Sequence, residues 1–274
     1  MNVYQHFGLT GPPFSVTPDP RFAYATKEHQ LSLVKIAYSV DERRGIFLLQ
    51  GEVGTGKTTL GRYLLHNWSA ESEKYTAAHL NTPTTRSQAG FLREIMDAFG
   101  LDTPRNFAAL ERILLAFLLE GRLAGKIVVL LLDEAQNIAV PNLDLLHRLS
   151  NLQTVEEQLL QIVLLAQPNF TNKLDQRPAL RSRITGGTYL GPLSFDDAIE
   201  MLRHRIGVAG GDFDKVFLKE THKPLYNATQ GICRDLCVCA DAALVGAFAR
   251  NSRVVNVDVL KEAIRDMSFK GWTK

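Results

Sequence analysis

Several features that would define a protein class are scarce in this sequence. Its 274 residues contain only three cysteines, Cys233, Cys237 and Cys239, too few for a disulfide framework. Their spacing lacks the fourth ligand of a zinc site, so we expect small, buried residues on a helix. The formal net charge is only +2, without a basic or acidic tail. Any contact with nucleic acid must therefore come from a local patch rather than from the overall field.

Long hydrophobic runs are also missing. Uninterrupted apolar runs such as Ile127–Leu132 are short, whereas a membrane-spanning helix needs about 20 residues. Met1–Thr10 has neither the basic start nor the apolar core of a signal peptide. We expect a cytoplasmic protein without membrane contact, and an odd number of unpaired thiols fits that reducing compartment.

Short apolar runs alternate with helical patterns along the first two thirds of the chain. This alternation predicts an α/β domain, a parallel sheet flanked by helices. Beyond Leu193 we expect only helices. The predicted division is an N-terminal arm at 1–26, an α/β domain at 27–193 and a smaller all-helical lid at 194–274. The predicted strands are Ile46–Gln50, Tyr75–Leu80, Ile127–Leu132, Gln161–Ala166 and Thr188–Leu193.

The segment Gly51–Thr58 matches the pattern G-x-x-x-x-G-K-[ST] completely. It follows a predicted buried strand and opens a predicted helix, which is the context that phosphate binding requires. Backbone N–H groups of such a loop surround phosphates, and the helix N-terminus adds positive potential. Lys57 is predicted to reach the β- and γ-phosphates, and the Thr58 hydroxyl to ligate Mg²⁺.

Asp133 and Glu134 directly follow the strongest strand signal, Ile127–Leu132. A carboxylate at the carboxyl end of a parallel strand lies at the edge where ligands bind. Asp133 is predicted to hold Mg²⁺, and Glu134 to act as the general base for an attacking water. Gln167 ends the next predicted strand, where it would either orient that water or cap the turn before Pro168.

Arginines form two further predicted sites. Arg177, Arg181 and Arg183 cluster after the predicted strand Gln161–Ala166. They read either as a solvated basic face or as a source of an arginine finger for a neighbouring subunit. Arg234 lies near the start of a predicted helix, where the helix dipole disfavours a cation, so a functional contact is the better interpretation.

Together these residues resemble an AAA+ ATPase over nearly the whole chain, and more closely the ExeA-like group. That resemblance also rests on four shorter stretches: Pro13-Phe14 with Pro18-Asp19-Pro20-Arg21-Phe22-Ala23-Tyr24, Leu132-Asp133-Glu134-Ala135-Gln136, Leu149-Ser150-Asn151-Leu152, and Leu165-Ala166-Gln167-Pro168.

The resemblance implies an ATP hydrolase with ATP and Mg²⁺ bound. The arm up to Tyr24 would help to enclose adenine, and Gln167 would be sensor 1. Arg183 or Arg181 would be the finger acting in trans, and Arg234 would be sensor 2. The implied nucleotide-binding residues are Gly51, Val53, Gly54, Thr55, Gly56, Lys57, Thr58, Thr59 and Arg234.

Two biological roles share such a module. Secretion ATPases of the ExeA type continue into a membrane span and a cell-wall-binding region, whereas this sequence ends at Lys274. Stand-alone transposition regulators of the TnsC, TniB and MuB type bind ATP, assemble as rings or filaments on double-stranded DNA and recruit a transposase. We expect the second role, with a transposase and a target-selection protein as partners. Secretion or envelope assembly is the alternative.

Pore-facing loops would supply the DNA contacts of such an assembly. Thr85 and Arg86 lie in the polar loop after the second predicted strand, and Arg105 lies in a later loop. A few phosphate contacts per subunit suffice because a multimer adds them together.

Overall fold

The computed structural model describes residues 2–15, 20–22, 24–155 and 157–269. The strands are β1 Ile46–Gly51, β2 Tyr75–Leu80, β3 Ile127–Leu132, β4 Leu160–Ala166 and β5 Ile184–Leu190. They form a five-stranded sheet in the order β2-β3-β4-β1-β5. All neighbouring pairs are parallel, which confirms the predicted fold class.

Helices connect the strands and make up the C-terminal part. They are α1 Val3–His6, α2 Lys27–Asp41, α3 Lys57–Ala70, α4 Gln88–Ala98, α5 Phe107–Leu123, α6 Val140–Leu149, α7 Phe170–Asp175, α8 Pro178–Arg181, α9 Phe195–Val208, α10 Phe213–Val216, α11 Lys219–Thr229, α12 Cys233–Ala249 and α13 Val257–Phe269. Pro20–Phe22 and Ala135–Asn137 form single turns of 3₁₀ helix. None of the helices in the described ranges combines the length and apolar character that crossing a lipid bilayer requires.

Both faces of the sheet are covered, which explains the continuous apolar sequence of its central strands. Every residue of β3 and β4 is buried. Successive residues alternate between two cores: Leu130 packs in the core that also contains residues of α4, α5 and α6, and Val129 in the core with residues of α2 and α3. A parallel sheet buried on both sides favours apolar residues on both faces of its strands.

Polar caps set the starts of several helices. The Ser87 hydroxyl accepts a hydrogen bond from the Gly90 N–H at 3.1 Å before α4, and the Asn106 side chain accepts from the Ala109 N–H at 3.2 Å before α5. Ser194 accepts in the same way from the Asp197 N–H at 3.1 Å before α9. Each cap satisfies a backbone donor that the first helical turn leaves unpaired.

The backbone contacts divide the chain into two units. The first comprises Lys27–Glu52 and Leu60–Leu190, and the second comprises Met1–Thr26, Val53–Thr59 and Gly191–Lys274. The first unit contains the sheet with its two cores. The second unit contains a helical core of its own, built from α9 to α13 and the N-terminal arm.

Aromatic side chains attach the arm to this helical core. Phe14 is buried at 2% exposure, and its ring makes an edge contact with the Phe217 ring at 6.1 Å between centroids. The Tyr4 hydroxyl donates to Asp241 Oδ1 at 3.2 Å. In the described part of the arm the aromatic residues pack against the helical core as predicted, but the predicted extended conformation is wrong at α1 and at the 3₁₀ turn. Of the arm motif, Pro18, Asp19 and Ala23 lie outside the described residues.

The predicted positions of two elements are wrong. The last strand is Ile184–Leu190 rather than Thr188–Leu193. Gly186 and Gly187 at its centre carry no apolar signal, and they allow the strand to pack closely against Phe47 and Leu48 of β1. One predicted helix at 215–229 is interrupted between α10 and α11. There Phe217 is extended and forms a parallel bridge with Val255.

Candidate functional site

The register of the sheet aligns the carboxyl ends of its central strands. Gln50 of β1 pairs with Ala166 of β4, and Leu132 of β3 pairs with Leu164 of β4. Because all three strands are parallel, the residues that directly follow them leave the sheet at the same edge. This is the edge where open α/β sheets bind ligands.

The loop after β1 has the conformation that its glycines predict. Gly51 ends β1 and Lys57 begins α3. Gly54 and Gly56 adopt φ angles of +83° and +103°, a region that residues with a Cβ atom rarely occupy. The loop bends sharply there and places Lys57, Thr58 and Thr59 in the first turn of α3.

The first turn of α12 contacts this loop within the second unit. The Arg234 N–H donates to the Gly54 carbonyl oxygen at 3.1 Å, and the Cys233 thiol donates to the Thr55 carbonyl oxygen at 3.7 Å. A Cβ atom on Gly54 would lie 2.9 Å from both Arg234 Cβ and Ile232 Cγ2. The structure therefore places the backbone of Arg234 next to the loop, while the predicted contact of its guanidinium with the phosphates stays a prediction.

The cysteines on α12 are free thiols. Cys237 and Cys239 are buried, and Cys233 is half-buried. Burial, with a smaller contribution from Cys237, raises the pKa of Cys233 to about 12, and burial likewise raises the pKa of Cys239 to about 12. The Cys233 thiol is thus protonated at neutral pH, as its role as a donor requires.

Asp133 and Glu134 lie directly after β3. Asp133 is only 2% exposed, and its Oδ1 accepts a hydrogen bond from the Glu134 N–H at 2.8 Å. Glu134 adopts left-handed backbone angles, φ 50° and ψ 40°. Such a conformation is uncommon for a residue with a side chain, and it persists only where the surrounding structure fixes it.

Two glutamine side chains hold the Glu134 carboxylate. Glu134 Oε2 accepts a short hydrogen bond from Gln136 Nε2 and a longer one, 3.3 Å, from Gln167 Nε2. The Gln167 side chain therefore points to Glu134 rather than capping the turn that follows it. Gln136 was not among the site residues predicted from the sequence, although its polar side chain close behind the two carboxylates was a signal.

The arginine cluster is resolved into residues with different surroundings. Arg177 Nε lies 3.0 Å from Asp144 Oδ1, and Arg181 forms an ion pair with Asp175. Arg183 is half-buried in the turn before β5. Across the described ranges, no hydrogen bond or ion pair is recorded for its guanidinium.

The three predicted DNA-contact residues also differ. The Thr85 hydroxyl bonds to Glu94, and the Thr85 carbonyl oxygen accepts from Asn142 Nδ2 at 2.5 Å. Thr85 thus stabilises its own loop. Arg86 and Arg105 are exposed, so their side chains can reach a ligand.

Comparison with known proteins shows what the residues around this sheet edge are similar to. The family of AAA domains matches residues 40–174. Solved structures agree in fold: the ORC2 protein of Aeropyrum pernix has a TM-score of 0.67 at 19% identity, over 93% of this chain and 71% of that chain. Cdc6p of Pyrobaculum aerophilum has a TM-score of 0.70 at 16% identity, over 93% and 70%.

A curated relative with much higher identity is known. General secretion pathway protein A of Aeromonas hydrophila is 38% identical over 261 residues, which are 93% of this chain and 47% of that protein. The present chain thus spans about half the length of that relative, and the similarity extends beyond residues 40–174 into the helical C-terminal part.

The contact between α12 and the Gly51–Thr58 loop leads to a prediction for the variant Gly54→Ala. The substitution forces a Cβ atom into a left-handed conformation, which costs about 1–2 kcal/mol. It also crowds Arg234 and Ile232 in a packed region, which adds about 1–3 kcal/mol. We expect a lower melting temperature in thermal unfolding without nucleotide.

Gly8→Ala is the matched control for Gly54→Ala. Gly8 belongs to the same unit and has a φ of +75°, but its Cβ would meet nothing within 4 Å. The difference between the two variants therefore measures the contact with α12. Equal losses of melting temperature would contradict the contact.

Proposed function

We propose that this chain is an AAA+ ATPase that hydrolyses ATP with Mg²⁺ and supplies the energy for an assembly or secretion process at the cell envelope. The proposed ATPase activity is supported by the Gly51–Thr58 loop between β1 and α3. It is also supported by Asp133 and Glu134, which directly follow strand β3 of the same sheet. The identity with a general secretion pathway protein supports the biological part.

The loop would bind the phosphates. Its left-handed glycines let successive N–H groups point at one anion, and the N-terminus of α3 adds positive potential. Lys57 would contact the β- and γ-phosphates, and the remaining loop residues would contribute backbone donors. Arg234, beside Gly54, would add a cation from the helical part. The arm up to Tyr24 would help to enclose the adenine.

The donor set fits a magnesium ion. Mg²⁺ prefers oxygen ligands and usually binds one or two protein side chains together with nucleotide phosphates. The Thr58 hydroxyl and the Asp133 carboxylate are such ligands. When bound, the ion would neutralise charge on the phosphates.

Glu134 would act as the general base for the attacking water. Its carboxylate is fixed by Gln136 and Gln167, and a positioned base accelerates proton transfer by about 10²–10⁴-fold. Gln167, at the end of β4, would help to orient the same water.

Two substitutions separate binding from hydrolysis. Lys57→Ala is expected to weaken ATP binding strongly, because it removes the cation from the phosphate loop. Glu134→Gln is expected to bind ATP normally but to lower the turnover number by about 10²-fold or more, because it removes the base. Titration with a fluorescent ATP analogue and a phosphate-release assay measure the two effects. Wild-type turnover by Glu134→Gln would refute the assignment of the base.

We further propose that the active enzyme is a homo-oligomer, a ring or helical filament, in which Arg183 completes the site of a neighbouring copy. Asp144 and Asp175 already pair with Arg177 and Arg181, so moving those guanidiniums would break existing ion pairs. Moving the Arg183 guanidinium breaks no ion pair among the described residues, which favours Arg183 over Arg181 as the finger.

Mixing variants tests action in trans. Arg183→Ala is expected to lower turnover by about 10²-fold or more, whereas Arg181→Ala stays close to wild type. Mixing inactive Arg183→Ala with inactive Lys57→Ala restores activity, because a mixed site combines an intact loop with an intact finger. The double variant mixed with Arg183→Ala serves as the control and restores nothing. Full activity of Arg183→Ala would exclude this finger.

The comparisons support the secretion alternative rather than the transposition role predicted from the sequence. The similarity to ORC2 and Cdc6p shows the fold alone. The transposase and target-selection partners therefore receive no support. A protein partner at the envelope and action from the cytoplasm, where ATP is available and thiols stay reduced, are the corresponding proposals.

Duplex DNA discriminates between the two roles. Phosphate contacts are strongest at low salt, about 50 mM. At that salt concentration we expect the ATPase rate with duplex DNA to stay within about twofold of the rate without DNA. The net charge of the protein is small, and the Thr85 side chain is already bonded within its own loop. A strong increase of the ATPase rate by duplex DNA, lost in the variants Arg86→Ala and Arg105→Ala, would contradict the secretion role. That result would favour an assembly on DNA.

A further inference from the structure

Gln136, inside the matched segment 40–174, uses both ends of its side-chain amide. The residue is only 8% exposed. Its Nε2 donates to Glu134 Oε2, and its Oε1 accepts a hydrogen bond from the Gln167 backbone N–H at 3.0 Å. One side chain therefore links the residue after β3 to the residue after β4.

The orientation of this amide follows from its partners. A backbone N–H can only donate, so the Gln136 oxygen must face Gln167. The Gln136 nitrogen then faces Glu134, and an ionised carboxylate can only accept. The reversed amide would place an oxygen against the carboxylate and a nitrogen against the N–H, which is unfavourable at both ends.

The backbone of Gln136 is held from the other side. Lys173 Nζ, on α7, donates to the Gln136 carbonyl oxygen at 2.6 Å and to the Ile138 carbonyl oxygen at 2.9 Å. Both of these oxygens belong to the turn that follows the left-handed Glu134. The turn is thus fixed to α7, and the Gln136 side chain has little freedom to leave Glu134.

We propose that Gln136 is a positioning residue for ATP hydrolysis, an inference that rests on the proposed function of Glu134. Gln136 and Gln167 both bind Oε2, and in the part of the chain that the structure describes no hydrogen bond to Oε1 is recorded. Gln136 therefore fixes the carboxylate by one oxygen and leaves the other to accept the proton of the attacking water. Because it also holds the Gln167 backbone, it keeps the base and the end of β4 in one arrangement.

Gln136→Glu replaces the donor to Glu134 by a second carboxyl group. The new side chain has the same length and can still accept from the Gln167 N–H, but two carboxyl groups in contact repel each other or share one proton, so the base is displaced or neutralised. We expect the turnover number to fall about 10–100-fold, since small displacements of a reacting group cost rate of this order. The KM for ATP and the binding constant of a non-hydrolysable ATP analogue stay within about twofold, because binding does not involve the bond between Gln136 and Glu134.

Gln161→Glu is the matched control. Gln161 is 1% exposed and also bridges two groups, accepting from the Gly45 N–H at 2.8 Å and donating to the Gln158 carbonyl oxygen at 2.9 Å. It lies at the opposite end of β4 from Gln167. Gln161→Glu is expected to lower the melting temperature without changing the turnover number of the folded protein.

A double-variant cycle shows whether Gln136 acts through Glu134. If it does, adding Gln136→Glu to Glu134→Gln lowers the residual rate no further, since the base is already gone. A further loss equal to that in the wild-type background would overturn the inference. So would wild-type turnover by Gln136→Glu. If Gln136→Glu does not fold, Gln136→Met replaces it in the same cycle. Methionine has a similar length and cannot form either hydrogen bond.

Failure of the proposed function gives a different result. If the wild-type protein hydrolyses no ATP, or if Glu134→Gln hydrolyses it normally, the proposed function fails and takes this inference with it. If wild type is active, Glu134→Gln is inactive and Gln136→Glu is normal, only the role of Gln136 is refuted.

Discussion

The parallel pairing of β3 with β4 and of β4 with β1 is the constraint on which the candidate site depends. Adjacent strands of a sheet lie about 4.8 Å apart, and in the observed register β4 extends only from Leu164, the partner of Leu132, to Ala166 beyond the end of β3. The chemistry-bearing residues that follow these strands are distant in sequence, yet they begin from neighbouring points. Apolar residues on both faces of β3 and β4 maintain this pairing, because a one-residue slip would turn each side chain into the opposite core, where its packing partners differ.

Local strain at the end of β3 is balanced by polar contacts. The left-handed conformation of Glu134 costs about 1–2 kcal/mol, and it persists because the surrounding groups fix it. Asp133 accepts from the Glu134 N–H, Gln136 binds the carboxylate, and Lys173 holds the turn behind it. The same contacts that offset the strain also orient the carboxylate. A conformation that is unfavourable by itself thus becomes a fixed position for a reactive group.

Local patterns were sufficient for much of the fold. The apolar run at β3 gave its bounds, because a strand buried on both faces carries an unbroken signal. The edge strand β5 was misplaced because its glycines carry no apolar signal, and they acquire their meaning only against the neighbouring strand. The break between α10 and α11 depends on the bridge from Phe217 to Val255. The position of β5 and the break between α10 and α11 both depend on contacts with residues distant in sequence, so neither could be predicted from one segment.

The sequence by itself determined the contiguous phosphate loop, the acidic pair after β3 and the class of the sheet, since each depends on neighbouring residues and on short periodicity. Only the tertiary structure decided that the first turn of α12 contacts Gly54, that Gln136 joins Glu134 to Gln167, and that Asp175 pairs with Arg181 while Arg183 stays unpaired among the described residues. These contacts join elements whose separation along the chain carries no information about their distance in space. Their geometry follows from how the helices pack, which no single stretch of residues encodes.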